Sequence, residues 1–309
     1  MQTIITSWPE RTDTPTWISI GKFDGVHLGH QALIGRLKEE ADQRGHETAV
    51  LTFWPHPRVF FNHAGSYFYL TTKEEREKLL LRTGIDQLFV MDFDASLAST
   101  EAEAFVDLLL RHYDLKGLVV GQNFKMGKDR GGTLDVLRPI LQAAGAELIV
   151  VEPYMLEGER VSSERVRRAL LQGEPELAAR LLGRPYSLTS VVREGKKLGS
   201  KLGFPTANQS PPAGKLLPRY GVYATRVKTN GDTYMGVTSV GVRPTFEDTH
   251  IPNVETLILD FDGNLYGTIL EVSFVQFLRD EIKFERVEDL IAQVEADKEN
   301  ARRILTHAT

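Results

Sequence analysis

The 309-residue sequence contains no cysteine. That removes disulfide frameworks, thiol nucleophiles and cysteine-ligated zinc or iron–sulfur sites together. No apolar run approaches the roughly 18 residues that a membrane-spanning helix needs. Met1 to Asp13 also lack the basic and apolar regions of a secretory signal, so a cytoplasmic protein is expected. Excess positive charge is missing too: 37 Lys and Arg stand against 42 Asp and Glu, a net charge of −5. With no overall basic field, neither nucleic acid nor a membrane is expected as a partner, and an anionic ligand must be held by a local site. Internal repeats and low-complexity tracts are absent.

What is present is ordinary globular composition, 41% apolar and 26% charged, in a chain long enough for two domains of about 150 residues each. From Trp17 to about Val151, short apolar runs (Trp17–Ile20, Thr48–Phe53, Gln87–Met91, Gly117–Val120, Glu147–Val151) alternate with amphipathic stretches such as Gln31–Arg44, Thr72–Arg82, Glu101–His112 and Thr133–Ala144. This alternation predicts a Rossmann-like α/β domain, a parallel sheet with helices on both faces and ligands at the carboxyl ends of the strands. Two more helices, Ser163–Leu171 and Pro175–Leu182, close the first half, and Leu182-Gly183-Arg184-Pro185 breaks the pattern. The expected domains are therefore 1–183 and 184–309. Beyond the break, β-rich runs with Gly and Pro punctuation (Tyr186–Arg193, Tyr220–Lys228, Thr233–Val240, Val254–Phe261, Leu265–Phe274) predict a small antiparallel barrel. A helix over Glu285–Leu305 packs on its outside, Gln209–Gly214 reads as a surface loop, and Asp262-Gly263-Asn264 reads as a hairpin turn. Asp260, Asp262, Asn264 and Glu271 have calcium-loop spacing, but Leu265 stands where that loop needs glycine. His46, His63, His112, His250 and His307 are isolated and polar-flanked, and are expected in solvent.

Directly after the first apolar run comes Gly21-Lys22-Phe23-Asp24-Gly25-Val26-His27-Leu28-Gly29-His30. A glycine-rich turn from strand to helix lets backbone N–H groups approach an anion, and the helix N-terminus adds a favourable dipole. His27 and His30, three apart at the first turn, share a face and can donate to one group. Neither a dinucleotide fingerprint nor a P-loop is present. The segment resembles the nucleotidyltransferase signature Gly-x-Phe-Asp-Gly-x-His-x-Gly-His in the form used by bacterial bifunctional riboflavin kinase/FAD synthetases. Val161-Ser162-Ser163-Glu164-Arg165-Val166-Arg167 resembles that family's Ile-Ser-Ser-Thr-x-Ile-Arg segment, with Glu164 where the family has threonine. The same residues also read as a helix capped by Ser163. Pro55-His56-Pro57 and Val120-Gly121-Gln122-Asn123-Phe124 resemble two further family segments in the expected order.

In the second half, Thr206 and Asn208 of Leu202-Gly203-Phe204-Pro205-Thr206-Ala207-Asn208 point the same way in extended chain and offer a hard oxygen pair suited to magnesium. The segment resembles the riboflavin kinase signature Gly-Phe-Pro-Thr-Ala-Asn. Gly195-Lys196-Lys197-Leu198-Gly199-Ser200-Lys201 is similar to the family's glycine-rich flap. Val254-Glu255-Thr256 and Gly236–Phe246 match neighbouring family strands, with Ser239 in place of the usual asparagine. Strand alternation puts Glu255 on the face of Leu257 and Leu259.

The resemblance spans about Trp17 to Leu305. It implies ATP-dependent phosphorylation of riboflavin to FMN, then adenylyl transfer from a second ATP to FMN, giving FAD and pyrophosphate, with Mg2+. His27 and His30 are implied for adenylyl transfer and Glu255 as kinase base. Gly21, Phe23, Asp24, Gly25, Asn123, Ser162, Ser163 and Arg167 are implied for ATP in the first half. Gly199, Lys201, Gly203, Pro205, Thr206 and Asn208 are implied for Mg-ATP in the second. Pro55, His56, Pro57, Asn123 and Glu255 are implied for flavin. The competing readings are a chain with one activity retained and a non-catalytic flavin- or nucleotide-binding regulator; presence of the charged groups favours the enzyme.

Overall fold

The computed structural model describes residues 2–61, 68–195, 199, 202–243 and 251–307. The chain divides into two compact units, Met1–Ser163 and Glu164–Thr309.

The first unit is a six-stranded parallel sheet of β1 (Thr3–Ile5), β2 (Thr12–Ile20), β3 (Glu47–Trp54), β4 (Gln87–Asp92), β5 (Tyr113–Gly121) and β6 (Glu147–Val151) in the order β1-β4-β3-β2-β5-β6. The strands read as apolar runs because both faces are covered. The helices are α1 (Leu28–Asp42), α2 (Pro57–Phe61), α3 (Lys73–Leu81), α4 (Ala95–Ser99), α5 (Ala102–His112) and α6 (Leu134–Ala143). Ile34 and Leu37 of α1 and Leu80 of α3 pack with Trp17, Val50 and Leu88. Phe105 and Leu109 of α5, with Leu137 and Leu141 of α6, pack with Ile18, Leu51 and Leu118. From β2 the chain proceeds to β3 and β4 on one side and to β5 and β6 on the other. Strand order therefore reverses between β2 and β5, and their carboxyl ends open a crevice.

The elements that the periodicity does not announce are short: β1, α2, α4 and the hairpin of β7 (Met155–Leu156) and β8 (Glu159–Arg160). Two histidines expected in solvent are engaged. Trp17 Nε1 donates to His46 Nδ1 at 3.2 Å. His112 Nδ1 lies 2.7 Å from Pro9 O, and its ring stacks on Trp8. His63 and His250 lie outside the described residues.

In the second unit a closed barrel runs β10-β13-β12-β11-β14-β9, from β9 (Tyr186–Arg193), β10 (Thr206–Gln209), β11 (Gly221–Thr229), β12 (Asp232–Arg243), β13 (Ile251–Ile258) and β14 (Ile269–Arg279). The helices before it, α7 (Ser163–Gln172) and α8 (Pro175–Leu182), group with the barrel. Arg219 N donates to Leu170 O, and α8 packs on β9 and β14. An amphipathic pattern fixes which face a helix buries but not which core receives it.

Two expectations are corrected here. Gln209 is the buried end of β10, not the start of a surface loop; its Nε2 donates to Ser190 O at 3.2 Å and Leu270 O at 2.9 Å. Asp262-Gly263-Asn264 is not a hairpin turn, because β13 pairs with β10 and β12 while β14 pairs with β11 and β9. The segment crosses between non-adjacent strands, pinned where Arg302 grips Asp260 at 2.6 and 2.8 Å.

The last helix, α9 (Val287–His307), lies outside the barrel, where Val294, Ala301 and Leu305 pack with Val222, Val237 and Leu257. Arg279 of β14 donates to both oxygens of Asp297 at 2.7 to 3.1 Å, and Gln293 adds a bond at 2.9 Å. Among the described residues, no helix is long and apolar enough to cross a membrane.

Candidate active sites

The turn after β2 is built from its own side chains. Phe23 and Asp24 are buried, at 0% and 1% exposure. The Phe23 ring lies so close over Gly21 that a Cβ there would meet it at 2.9 Å. Asp24 Oδ1 accepts from Leu70 N and Thr71 N at 3.1 Å, and Arg76 Nη2 approaches it at 3.3 Å. Phe23 and Val26 hold φ of 48° and 41° beside Gly25 at 85°, a left-handed region that β-branched residues rarely adopt. The backbone of the turn is fixed as well: Gly21 N donates to Leu51 O at 3.0 Å and Gly25 N to Thr71 Oγ1 at 3.2 Å.

His27 is the cap of α1 rather than a residue of its first turn: its Nδ1 accepts from His30 N at 3.3 Å. The proton of the neutral ring therefore sits on Nε2, which becomes a donor. The two rings stack with centroids 3.6 Å apart. Burial, then the neighbouring His27, Arg76 and Arg160, holds the His30 pKa well below 6.5, so its ring is neutral near pH 7. Its Nδ1 is buried and has no hydrogen-bond partner among the described residues.

Ser163 is the first residue of α7 rather than its cap, and its hydroxyl donates to Asp24 O at 2.9 Å. That bond ties the serine pair to the histidine turn within the first unit. Arg167 belongs to the second unit, 3.8 Å from Glu164, whose side chain is 72% exposed. Asn123 is exposed at the turn after β5, next to β2 at the reversal point.

The segment after β3 begins with Pro55 and His56. His56 is buried; its Nδ1 accepts from Arg58 N at 3.0 Å and its N–H donates to Tyr69 Oη at 3.2 Å. Beside it Phe53, Phe60, Phe61 and Phe93 form an edge-to-face cluster with centroids 5.3 to 5.9 Å apart. Phe61 is 61% exposed. Neither this cluster nor Arg76 carries a short motif: the rings come from β3, from α2 and from the segment after β4, and Arg76 looks like one more charge on a charged helix.

In the barrel unit, Thr206 pairs with Leu257 and Asn208 with Glu255 between β10 and β13, and Ser239 of β12 pairs with Glu255 from the other side. Directly paired residues point to one face. That face opens into a cavity of about 350 Å³ lined by Thr206, Ser239, Glu255, Arg279, Glu281 and Asp297 with apolar residues of the barrel and α9. The volume is at the small end of ligand sites. Asn253 Nδ2 donates to Glu255 Oε1 at 2.8 Å. Burial raises the Glu281 carboxyl pKa, opposed by Arg279. The glycines beside this row are tight: a Cβ on Gly195 would come within 2.5 Å of Asn208 Nδ2, and one on Gly199 would strike Phe204 O. Gly203 takes φ of 87°. Lys201 lies outside the described residues, as do Lys196–Leu198, Ser200 and Pro244–Phe246.

Two family models match in tandem, FAD synthetase over residues 10–165 and riboflavin kinase over residues 182–305. The bifunctional riboflavin kinase/FMN adenylyltransferase of Listeria monocytogenes is 38% identical over 98% of both chains. The protein of that name from Pseudomonas fluorescens is 38% identical over 92% of this chain and 91% of its own. A Streptococcus pneumoniae crystal structure described as a macrolide-efflux protein superposes with a TM-score of 0.88 at 30% identity, covering 97% of this chain and 98% of that one.

Proposed function

The chain belongs to the bifunctional riboflavin kinase/FMN adenylyltransferase family, and from that premise we propose how its halves, 1–183 and 184–309, divide the work. The barrel half phosphorylates riboflavin with ATP, and the α/β half joins FMN to the adenylyl group of a second ATP, giving FAD and pyrophosphate. The observation that supports this most is that the histidine turn and the Asn208–Glu255–Ser239 row stand in separate compact units.

In the first half the FMN phosphate attacks the α-phosphorus of ATP and pyrophosphate leaves, so no protein nucleophile is needed. Negative charge grows on the α-phosphate oxygens, and preorganised donors stabilise it more than the ground state. His27 supplies an Nε2–H fixed by its capping bond, and neutral His30 supplies the stacked ring beside it. The turn after β2, with Ser162, Ser163 and Asn123, completes the phosphate side. The phenylalanine cluster beside Pro55-His56-Pro57 suits a flat flavin ring.

In the second half a riboflavin hydroxyl attacks the γ-phosphorus of ATP and ADP leaves, while Glu255, facing the cavity, takes the hydroxyl proton. Thr206 and Asn208 beside it present hard oxygen donors that suit magnesium, and Asn208 is held so closely that a Cβ on Gly195 would come within 2.5 Å of its Nδ2. A bound ion would neutralise phosphate charge; Thr206 and Asn208 would hold it, and Gly199, Gly203 and Pro205 would let the backbone come close to the nucleotide.

Incubating the full chain with riboflavin, ATP and magnesium, and separating the flavins over time, tests this reading. FMN appearing before FAD is expected. FMN that accumulates without FAD, even when FMN is supplied, would remove the adenylyl assignment; FAD from FMN but none from riboflavin would remove the kinase one.

A further inference from the structure

Arg76 sits on α3, in neither motif, yet is only 2% exposed. Its guanidinium reaches three separate pieces of the first site. Nη1 donates to Lys22 O at 3.0 Å and to Phe53 O at 3.5 Å. Nη2 bonds Asp24 Oδ1 at 3.3 Å, and Nε lies 3.4 Å from Thr71 Oγ1. The group also lies over the rings of Trp54 and Tyr69, at 5.4 and 5.8 Å, and those rings stack on each other. Tyr69 in turn accepts the His56 N–H. A buried cation persists only when such partners replace its water, and a planar fork over aromatic faces is a role that arginine fills and lysine does not.

The partners fall on two sides. Lys22 and Asp24 belong to the histidine turn, whose left-handed Phe23 and Val26 need outside support. Phe53 and Trp54 end β3 and lead into Pro55-His56-Pro57. We propose that Arg76 is a positioning residue of adenylyl transfer, clamping the turn that takes the ATP phosphates at a fixed distance from the β3 end that takes FMN. This rests on the assignment of those two segments to ATP and FMN. In-line attack tolerates little displacement, and a misplacement of about 1 Å costs roughly 10²-fold in rate. The Arg76 charge also adds to those that keep His30 neutral.

The test compares full-length Arg76→Met, Arg76→Lys and His30→Ala by kcat and KM for ATP and FMN in FAD formation, by riboflavin phosphorylation, and by thermal unfolding. Arg76→Met should lose about 10²-fold in kcat/KM for FAD formation, with a raised KM for ATP or FMN and riboflavin phosphorylation within about twofold of the parent chain. Arg76→Lys should recover only part of that loss, since one ammonium cannot span Lys22 O, Phe53 O and Asp24 together. Arg76→Met within about threefold of the parent while His30→Ala is inactive would overturn the proposal. If Arg76→Met loses its cooperative transition, Arg76→Lys decides: folded, with all constants within about twofold, it overturns the clamp. A fall in kcat that only tracks the folded fraction, with both KM values unchanged, overturns it as well. FAD formation undiminished in His30→Ala would instead sink the site assignment beneath it.

Discussion

Asn208 of β10 stands directly across from Glu255 of β13. Glu255 lines the cavity and Asn208 stands beside it on the same face of the paired strands, the arrangement expected if one holds Mg-ATP while the other meets the hydroxyl to be phosphorylated. Glu255→Gln keeps the shape and removes the proposed base. It should lower FMN formation from riboflavin by about 10²–10⁴-fold and leave FAD formation from supplied FMN unchanged. Riboflavin phosphorylation near the parent rate would show that another group takes the proton.

The wall of that cavity formed by α9 depends on the Arg279–Asp297 pair, in which Asp297 is 3% exposed. Asp297→Asn keeps the volume but leaves a mostly buried guanidinium facing a neutral amide. Bonds to charged groups contribute about 2 kcal/mol, so a loss of that order is expected. It should appear as a lower unfolding temperature together with a raised KM for riboflavin. An unchanged melting curve would mean that apolar packing alone holds α9.

His30 gives the first unit a pH dependence whose sign follows from its neighbours. Its folded pKa lies well below 6.5, pushed down by burial and then by His27, Arg76 and Arg160. Above 6.5 the ring is neutral folded and unfolded, and stability is complete. As pH falls below 6.5 the unfolded chain takes up a proton that the native ring refuses, and stability declines until the folded pKa is reached. Unfolding curves from pH 7.5 to 5.5 should therefore show a smaller acid-induced loss for His30→Gln than for the parent chain. Equal losses in both would show that His30 is not the group responsible.

The sequence made the sheet and helices of the α/β half legible because strands buried on both faces are nearly all apolar and its helices carry strong periodicity, as in Glu47–Trp54 and Leu134–Ala143. It also disclosed the histidine turn and the Pro205-Thr206-Ala207-Asn208 strand start, where neighbouring residues act together. It did not disclose partners far apart in the chain. Asp24 reads as a ligand-facing acid but is turned onto Thr71 and Arg76, because its role is set by residues more than forty positions away. Asp262-Gly263-Asn264 has ideal turn chemistry, yet barrel closure separates the strands on either side of it. Turn propensity is local, whereas strand order is decided by the whole sheet.

Gly195 gives the sharpest test of the barrel site, because the outcome depends on a single added carbon. A Cβ there would lie 2.5 Å from Asn208 Nδ2 and 2.7 Å from Asn208 Cγ. Asn208 is 7% exposed and sits in the β10 ladder between Arg193 and Glu255, so its short side chain has little room to retreat. Displacing it moves the amide oxygen assigned to magnesium without touching the phosphate turn of the other unit. Gly195→Ala should therefore raise the KM for ATP in riboflavin phosphorylation by about tenfold or more, since a shift of even part of an ångström in a ligating group disrupts a positioned site. FAD formation from supplied FMN should be unchanged in the same sample. A variant with unaltered kinase KM would show that Asn208 can move freely, and its assignment as a nucleotide or metal ligand would then have to be given up.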